Sequence, residues 1–440
     1  MTLERVMAEL ATRYPSEDRM QPDLDRIRLL CDLLGDPQKS FASIHLTGTN
    51  GKTSTARMVD ALLRETGLRV GRYTSPHLNR VNERVVVDGV PLPEERFSAV
   101  FDELSPYVEL VDSRMPQRMT FFEVLTGLAF AAFADAPVDV AVLEVGLGGR
   151  WDATNVVEAQ TCVVLPIGLD HTSLLGSTVT EIAAEKAGII HEGATVVLAA
   201  QPPEAAEVLL RHCVEVGATV AREGLEFGVV DRRTAVGGQV VSLQGLAARY
   251  DDLFLPLHGA HQAANAAAAV AAVEAFLGHG QPLDGDLLRA GFAGVTSPGR
   301  LEVVRSSPTV LVDAAHNPHG MAATVDALTD AFAFTHLVAV VAVMADKDAR
   351  TMLEVLEPAV ASVVVTRTGS PRAMPVDELR EIAEEVFGEE RVAVEDRLDD
   401  ALDTAVALAD AEAVAGGGVG VLVTGSVVAA GEARTLLSAR

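Results

Sequence analysis

Residues 44–55 read IHLTGTNGKTST, an apolar run that ends in a Gly-rich turn and passes directly into the helical pattern TARMVDALLRE. Gly48 and Gly51 let backbone N–H groups turn toward an anion, and the following helix N-terminus adds its partial positive charge. Lys52 is placed to neutralise outer phosphates and the Thr53 or Ser54 hydroxyl to reach Mg2+, so the turn reads as a cradle for ATP over residues 47–54, with Asn50 and Gly51 at its crest. The usual phosphate loop carries a further glycine where this chain has Leu46, which makes this the shorter G-x-x-G-K-[ST] form. A second candidate is Glu144, which closes the apolar run VAVLE; a strand-end carboxylate there would face the loop and hold Mg2+, or else cap the next turn.

These residues need elements to position them, and the sequence supplies an alternation of short β-rich runs, polar turns and Ala/Leu-rich helical segments. That alternation predicts an α/β, doubly wound fold, in which ligands sit beyond the carboxyl ends of the strands. Strands are expected at 41–46, 69–73, 138–143, 161–167 and 195–199, then a small β-rich appendage over 225–257 and an Ala-rich helix over 258–277. The stretch AGVTSPGRLEVV at 293–304 reads as an interdomain hinge, followed by strands at 309–312, 337–343, 362–366 and 420–423. A chain of 440 residues accommodates two such domains.

Composition removes other classes. A formal charge of −27, from 35 Lys plus Arg against 62 Asp plus Glu, disfavours nucleic acid and anionic lipid as partners. Aromatics are only 4% of the chain, too few for a base-stacking platform. Cys31, Cys162 and Cys213 have no metal or disulfide spacing, which fits a reducing compartment, and no export signal is read at the amino terminus; a cytoplasmic protein is expected. Apolar runs such as LVAVVAVMA at 337–345 are about half the ~20 residues that span a bilayer.

The loop TGTNGKTST resembles the Mur ligase superfamily, and LEVGLGGRWDATNVV at 143–157 resembles its folylpolyglutamate synthase and dihydrofolate synthase branch. SPHL at 75–78, LDH at 169–171, EKAG at 185–188, HQAAN at 261–265, SPGR at 297–300 and DAAHNPHG at 313–320 look like further stations of the same family. The resemblance implies a two-domain Mur-ligase-like fold: a P-loop ATPase-type sheet over 1–296 and a smaller Rossmann-like α/β ligase domain over 297–440, with ATP between them. It implies that Ser75, Glu144 and His171 hold magnesium, and that Lys186 is carbamylated and serves a second magnesium; without that, Lys186 is a solvated lysine paired with a nearby Glu. It implies a pterin pocket from Asp23, Leu24, Asp25 and Arg26 within PDLDRI, from Thr120, Phe121, Phe122 and Glu123, and from Trp151, Asp152 and Ala153. For the three aromatics, ordinary core packing is the alternative. Asn265, Arg300 and Asp313 match nucleotide contacts, against a hinge salt bridge for Arg300 and a helix N-cap for Asp313. His316 matches a histidine near the amino-acid substrate, against a turn-stabilising role.

The reaction so implied is ATP-dependent amide ligation. A carboxylate attacks the γ-phosphate to give an acyl phosphate, and the amine of L-glutamate then displaces phosphate. Lys52, Arg300 and magnesium would screen one anion from another, and no protein nucleophile is required. Lys52, Lys186 and His316 are the candidates for a direct part in it. The expected substrates are 7,8-dihydropteroate, reduced folates and L-glutamate, handled by a monomer. The alternative is a Mur-type ligase that extends a UDP-muramoyl peptide; Thr53, where the folate branch commonly has glycine, favours it, and SPHL, EVGLGGRWDATN and LDH oppose it. A nucleotide-regulated module that clamps ATP without ligation would not need Glu144, His171 and Lys186.

Overall fold

The computed structural model describes residues 2–13, 23–278, 280–413 and 418–438. Pro22, the first residue of PDLDRI, lies outside them. Two compact units divide the chain: one takes 1–231, 241–254 and 263–295, the other 232–240, 255–262 and 296–440.

The first unit is built on an eight-stranded sheet. Its strands are β1 (Ala42–Thr47), β2 (Val70–Tyr73), β3 (Val85–Val87), β4 (Val90–Pro91), β5 (Val140–Glu144), β6 (Thr161–Val164), β7 (Thr195–Leu198) and β8 (Thr219–Arg222), in the spatial order β4-β3-β2-β5-β1-β6-β7-β8. All neighbours pair in parallel except β2 with β3 and β3 with β4. The order of addition reverses at β1, so the loops after β1, β5 and β6 open at the carboxyl edge where such sheets bind ligands. Strands β1, β5 and β6 are buried on both faces, which is why their sequences are near-continuous apolar runs. His45 and Thr47 interrupt that pattern: two residues apart, they share a face of β1, and both are buried.

Strands β9 (Gly228–Ala235), β10 (Gly238–Gln244) and β11 (Arg249–Leu255) form the β-rich appendage expected over 225–257. The second unit carries a six-stranded sheet of β12 (Glu302–Ser306), β13 (Thr309–Val312), β14 (His336–Val341), β15 (Ser362–Val365), β16 (Val392–Val394) and β17 (Val419–Thr424). Its order is β12-β13-β17-β14-β15-β16, parallel except for the β12–β13 pair. The strand β12 corrects the expectation of a hinge as far as 304. Val303 and Arg305 pair with Leu311 and Val310, so residues 302–304 belong to a ladder and irregular chain stops at 301. Among the described residues no helix is long and apolar enough to cross a membrane.

Candidate active site

The turn after β1 is held by ties to other loops of the first unit. Thr47 Oγ1 donates to Gly148 O at 2.8 Å, and the Thr49 N–H donates to Pro166 O at 3.0 Å. Gly51 sits in the left-handed region at φ 86°, immediately before the helix Lys52–Glu65. A Cβ there would come 2.7 Å from Asn265 Oδ1, so the Ala260–Leu277 helix packs its asparagine against the loop and only glycine meets both demands. Asn50, Lys52 and Thr53 are half-buried and Ser54 is buried. The Lys52 ammonium donates to Gly48 O at 2.9 Å and Thr49 O at 3.1 Å.

Glu144 ends β5 one strand away and is 1% exposed. Thr53 Oγ1 lies 3.0 Å from each of its carboxylate oxygens, and the Ser75 N–H donates to Oε2 at 3.1 Å. The loops after β1, β2 and β5 therefore converge on one carboxylate, as the strand-end position of Glu144 predicts. Carboxylate and hydroxyl oxygens are the hard donors that Mg2+ prefers, so the residues present fit that ion. Among the described residues no three His, Cys, Asp or Glu side chains cluster as a metal cage, so a magnesium at Glu144 would draw several of its ligands from hydroxyls, phosphate and water. His171 is in the left-handed region at φ 50°, ahead of the short helix Thr172–Leu175, with its N–H on Asp170 Oδ1 at 2.9 Å.

Lys186 is not a solvated lysine. It is 3% exposed at the end of the Val179–Lys186 helix, and its ammonium donates to Gly48 O at 2.9 Å. Burial, reinforced by the charge of Lys52, pulls its pKa down to about 7, against the opposing pull of Asp170, Asp152 and Glu185.

The residues matched to a pterin pocket divide into two kinds. Arg26 and Glu123 form a buried ion pair, with Arg26 Nη2 2.9 Å from Glu123 Oε1, and Arg26 Nη1 also meets Asp23 at 2.8 Å. Thr120 and Glu123 are a reciprocal capping box for the Phe121–Asp135 helix, the outcome of the T-x-x-E spacing in TFFE. Asp152 is buried, and its oxygens accept from the N–H groups of Gly146, Leu147 and Thr154 and from Thr154 Oγ1. It thereby folds residues 145–154 into a closed loop. Ala153 is buried with it, Trp151 and Leu24 are half-buried, and Asp25 is exposed. Phe121 is buried under the Arg84 guanidinium, whose carbon lies 5.2 Å from the ring centroid. Phe122 is half-buried, 5.7 Å from Tyr73 centroid to centroid.

Two residues behind this wall were not singled out from sequence. His45 donates from Nε2 to Thr154 Oγ1 at 2.8 Å, and that hydroxyl in turn donates to Asp152 Oδ1 at 2.5 Å. Complete burial, with a smaller push from His191, lowers the His45 pKa to about 3 and keeps the ring neutral. A lone polar residue inside an apolar strand was the available signal. Arg84, at the mouth of β3, donates from Nε to His77 Nδ1 at 2.9 Å, and burial beside that guanidinium lowers the His77 pKa to about 4.

In the second unit, Asp313 follows β13 and is buried; it accepts from the N–H groups of Leu301 and Ala315 and from Thr324 Oγ1, all at 2.8–2.9 Å. The N-cap of the Pro318–Ala331 helix is Asn317 instead. Arg300 is half-buried in the 297–300 turn and makes no ion pair among the described residues. His316 Nδ1 lies 2.9 Å from Ala314 O, so that nitrogen carries a proton and braces the turn.

Comparison with known proteins identifies the family of the chain. Residues 46–273 match the Mur ligase middle domain and residues 299–427 the Mur ligase glutamate ligase domain. A dihydrofolate synthase/folylpolyglutamate synthase of Mycobacterium tuberculosis is 52% identical over 97% of this chain and 92% of its own. One of Bacillus subtilis is 36% identical over 83% and 85%. The solved M. tuberculosis folylpolyglutamate synthase complexed with ADP and AMPPCP superposes with a TM-score of 0.95 at 52% identity, covering 99% of this chain and 98% of that one. Escherichia coli FolC in complex with DHPP and ADP superposes at 0.86 and 30% identity, covering 100% and 98%.

Proposed function

The chain belongs to the Mur ligase family, and from that membership we propose that it joins L-glutamate to 7,8-dihydropteroate and to the γ-carboxyl of reduced folates at the expense of ATP. It is an ATP-dependent ligase that forms carbon–nitrogen bonds. The observation that carries this reading is the convergence of Thr53 and Ser75 on Glu144 beside a phosphate loop, in a chain with relatives at 52% and 36% identity that bear both activities in their names.

In this reading the acceptor carboxylate attacks the γ-phosphorus of ATP and ADP departs, leaving an acyl phosphate. The glutamate amine then attacks the acyl carbon, phosphate leaves, and the amine gives up its proton. The helix N-terminus at Lys52 and the Lys52 ammonium offset phosphate charge, so that one anion can approach another. Glu144 and the Thr53 and Ser75 hydroxyls, with His171, would hold magnesium, which when bound supplies further charge neutralisation at the phosphates. Lys186, with its lowered pKa and its position on Gly48 O, has a share of neutral amine at neutral pH that can add CO2 and release a proton; the carbamate so formed would serve a second magnesium. Asn265, Arg300 and Asp313 are assigned to the nucleotide, with Asp313 acting through Leu301 and the turn that bears Arg300. His316 is assigned to the region of the amino acid.

Residues 1–296 would bind ATP and pterin and 297–440 complete the ligase, in a cytosolic monomer. Asp23, Arg26, Thr120 and Glu123, through their mutual bonds, and Asp152, through the loop it closes, shape the pterin pocket, and Phe121, Phe122 and Trp151 offer it ring surface. The test is phosphate release from ATP and Mg2+ with L-glutamate, given 7,8-dihydropteroate, tetrahydrofolate or a UDP-muramoyl peptide, with mass spectrometry of products. One glutamyl residue on dihydropteroate and further ones on tetrahydrofolate are expected; growth of only the muramoyl acceptor would overturn the reading.

A further inference from the structure

Arg84 is 7% exposed, yet among the described residues no carboxylate pairs with it. A guanidinium is rarely buried without an anion, because its desolvation goes uncompensated. The acid beside it in sequence is engaged elsewhere: the Glu83 carboxylate accepts from the N–H groups of Leu78 and Arg80, each at 2.9 Å. Asp152, whose charge acts on the neighbouring Tyr73 phenol, is occupied by donors of its own loop. The guanidinium is nevertheless held in place. Its Nε is fixed on His77 Nδ1 at 2.9 Å, its plane lies over Phe121, and its backbone carbonyl accepts from the Thr74 N–H at 3.0 Å. The terminal nitrogens reach the Tyr73 phenol and otherwise stand as oriented donors.

His77 adds another. Because its Nδ1 accepts from Arg84, the ring proton of the neutral imidazole is on Nε2. Thr74, opposite Arg84, immediately precedes Ser75, whose N–H is on Glu144. The two side chains therefore belong to the same carboxyl edge of the sheet as the phosphate loop, beside the rings of Phe121 and Phe122.

We propose that Arg84, oriented by His77 and stacked on Phe121, binds the carboxylate of a planar aromatic acid, the acceptor acid of the ligation. The inference rests on the proposed function and names the group that receives the acceptor's charge. A fork of donors fits a carboxylate, and the aromatic wall fits the ring that bears it. Arg84 is a substrate-binding residue in this scheme and His77 a positioning residue.

The experiment measures equilibrium binding of 7,8-dihydropteroate and of its carboxamide, which has the same shape and no charge, to the wild type, Arg84→Met and Arg84→Lys. The wild type should prefer the carboxylate by about 10- to 100-fold, the range of a charge-assisted hydrogen bond. Arg84→Met should bind both ligands alike, and Arg84→Lys should keep part of the preference, a pattern that loss of packing alone does not produce. The KM for L-glutamate should not move. Undiminished preference in Arg84→Met, or a rise in the glutamate KM in its place, would overturn the assignment while the ligase reading stands. A wild type that binds neither ligand would remove both.

Discussion

Glu144 and Asp152 are eight residues apart in one motif-rich segment, and both are buried carboxylates. Their partners differ. Glu144 draws on Thr53 of the phosphate loop and Ser75 of the loop after β2, so it joins segments that are distant in sequence. Asp152 draws on Gly146, Leu147 and Thr154, all within six residues of itself. A carboxylate that gathers hydroxyls from several loops is placed to exchange them for a metal and phosphates. One saturated by the N–H groups of its own loop is a fastener, and its contribution to activity is the shape of the loop. Equal prominence in a motif therefore does not mean equal chemistry.

The contrast is broken most severely at the loop itself. Lys52→Ala should lower kcat by about 10³-fold, since it removes the cation that offsets phosphate charge in the transition state. Its melting temperature should stay near that of the wild type, because Lys52 is half-buried and its ammonium bonds only reinforce a loop that Thr47 and Thr49 already hold. Near-wild-type turnover would remove the loop from the mechanism. Glu144→Ala should come next, with a loss of about 10²-fold and a raised Mg2+ requirement. An unchanged Mg2+ titration would take Glu144 off the metal.

Asp152→Asn should invert that signature. The amide presents an NH2 where an oxygen accepted N–H groups, at a cost of about 1–3 kcal/mol in stability. The Mg2+ requirement should be as in the wild type and the KM for the pterin acceptor raised, both read from steady-state kinetics beside urea unfolding. A Mg2+ titration displaced as in Glu144→Ala would erase the distinction between the two acids.

What the sequence made legible follows the same division. The strands β1, β5, β6, β13 and β17 announce themselves because strands buried on both faces must be apolar, and the phosphate loop does so because only glycines with a lysine satisfy its geometry. Strands β3, β4, β8, β12 and β16 were missed: they are two to five residues long and lie at or next to sheet edges, where solvent relaxes the pattern. In the site, Glu144 was legible from its strand-end position. The partners of Arg26 and Lys186 were not, since Glu123 is 97 residues from Arg26 and Gly48 is 138 from Lys186. Burial changed the meaning of such residues, turning an apparent surface lysine into a depressed-pKa amine and an apparent N-cap, Asp313, into a clasp on Leu301.

The smallest effect sharpens the comparison from behind the loop. His45 fastens Thr154, and Thr154 fastens Asp152, so the second carboxylate depends on an imidazole that must stay neutral. Its folded pKa is lowered to about 3 from 6.5, whereas in the unfolded chain it keeps the ordinary value. The unfolded state therefore binds the extra proton as pH falls below 6.5, and this contribution to stability declines with it. Between pH 7 and pH 5 the loss is about 2 kcal/mol, at 1.36 kcal/mol for each unit below the unfolded pKa. In His45→Gln the amide can still donate to Thr154 but does not titrate, so the difference between wild type and variant in urea unfolding should shrink the wild type's advantage by that amount over this window. A difference independent of pH would mean that the His45 ring takes up a proton in the folded protein as readily as in the unfolded chain, and that its burial does not hold it neutral.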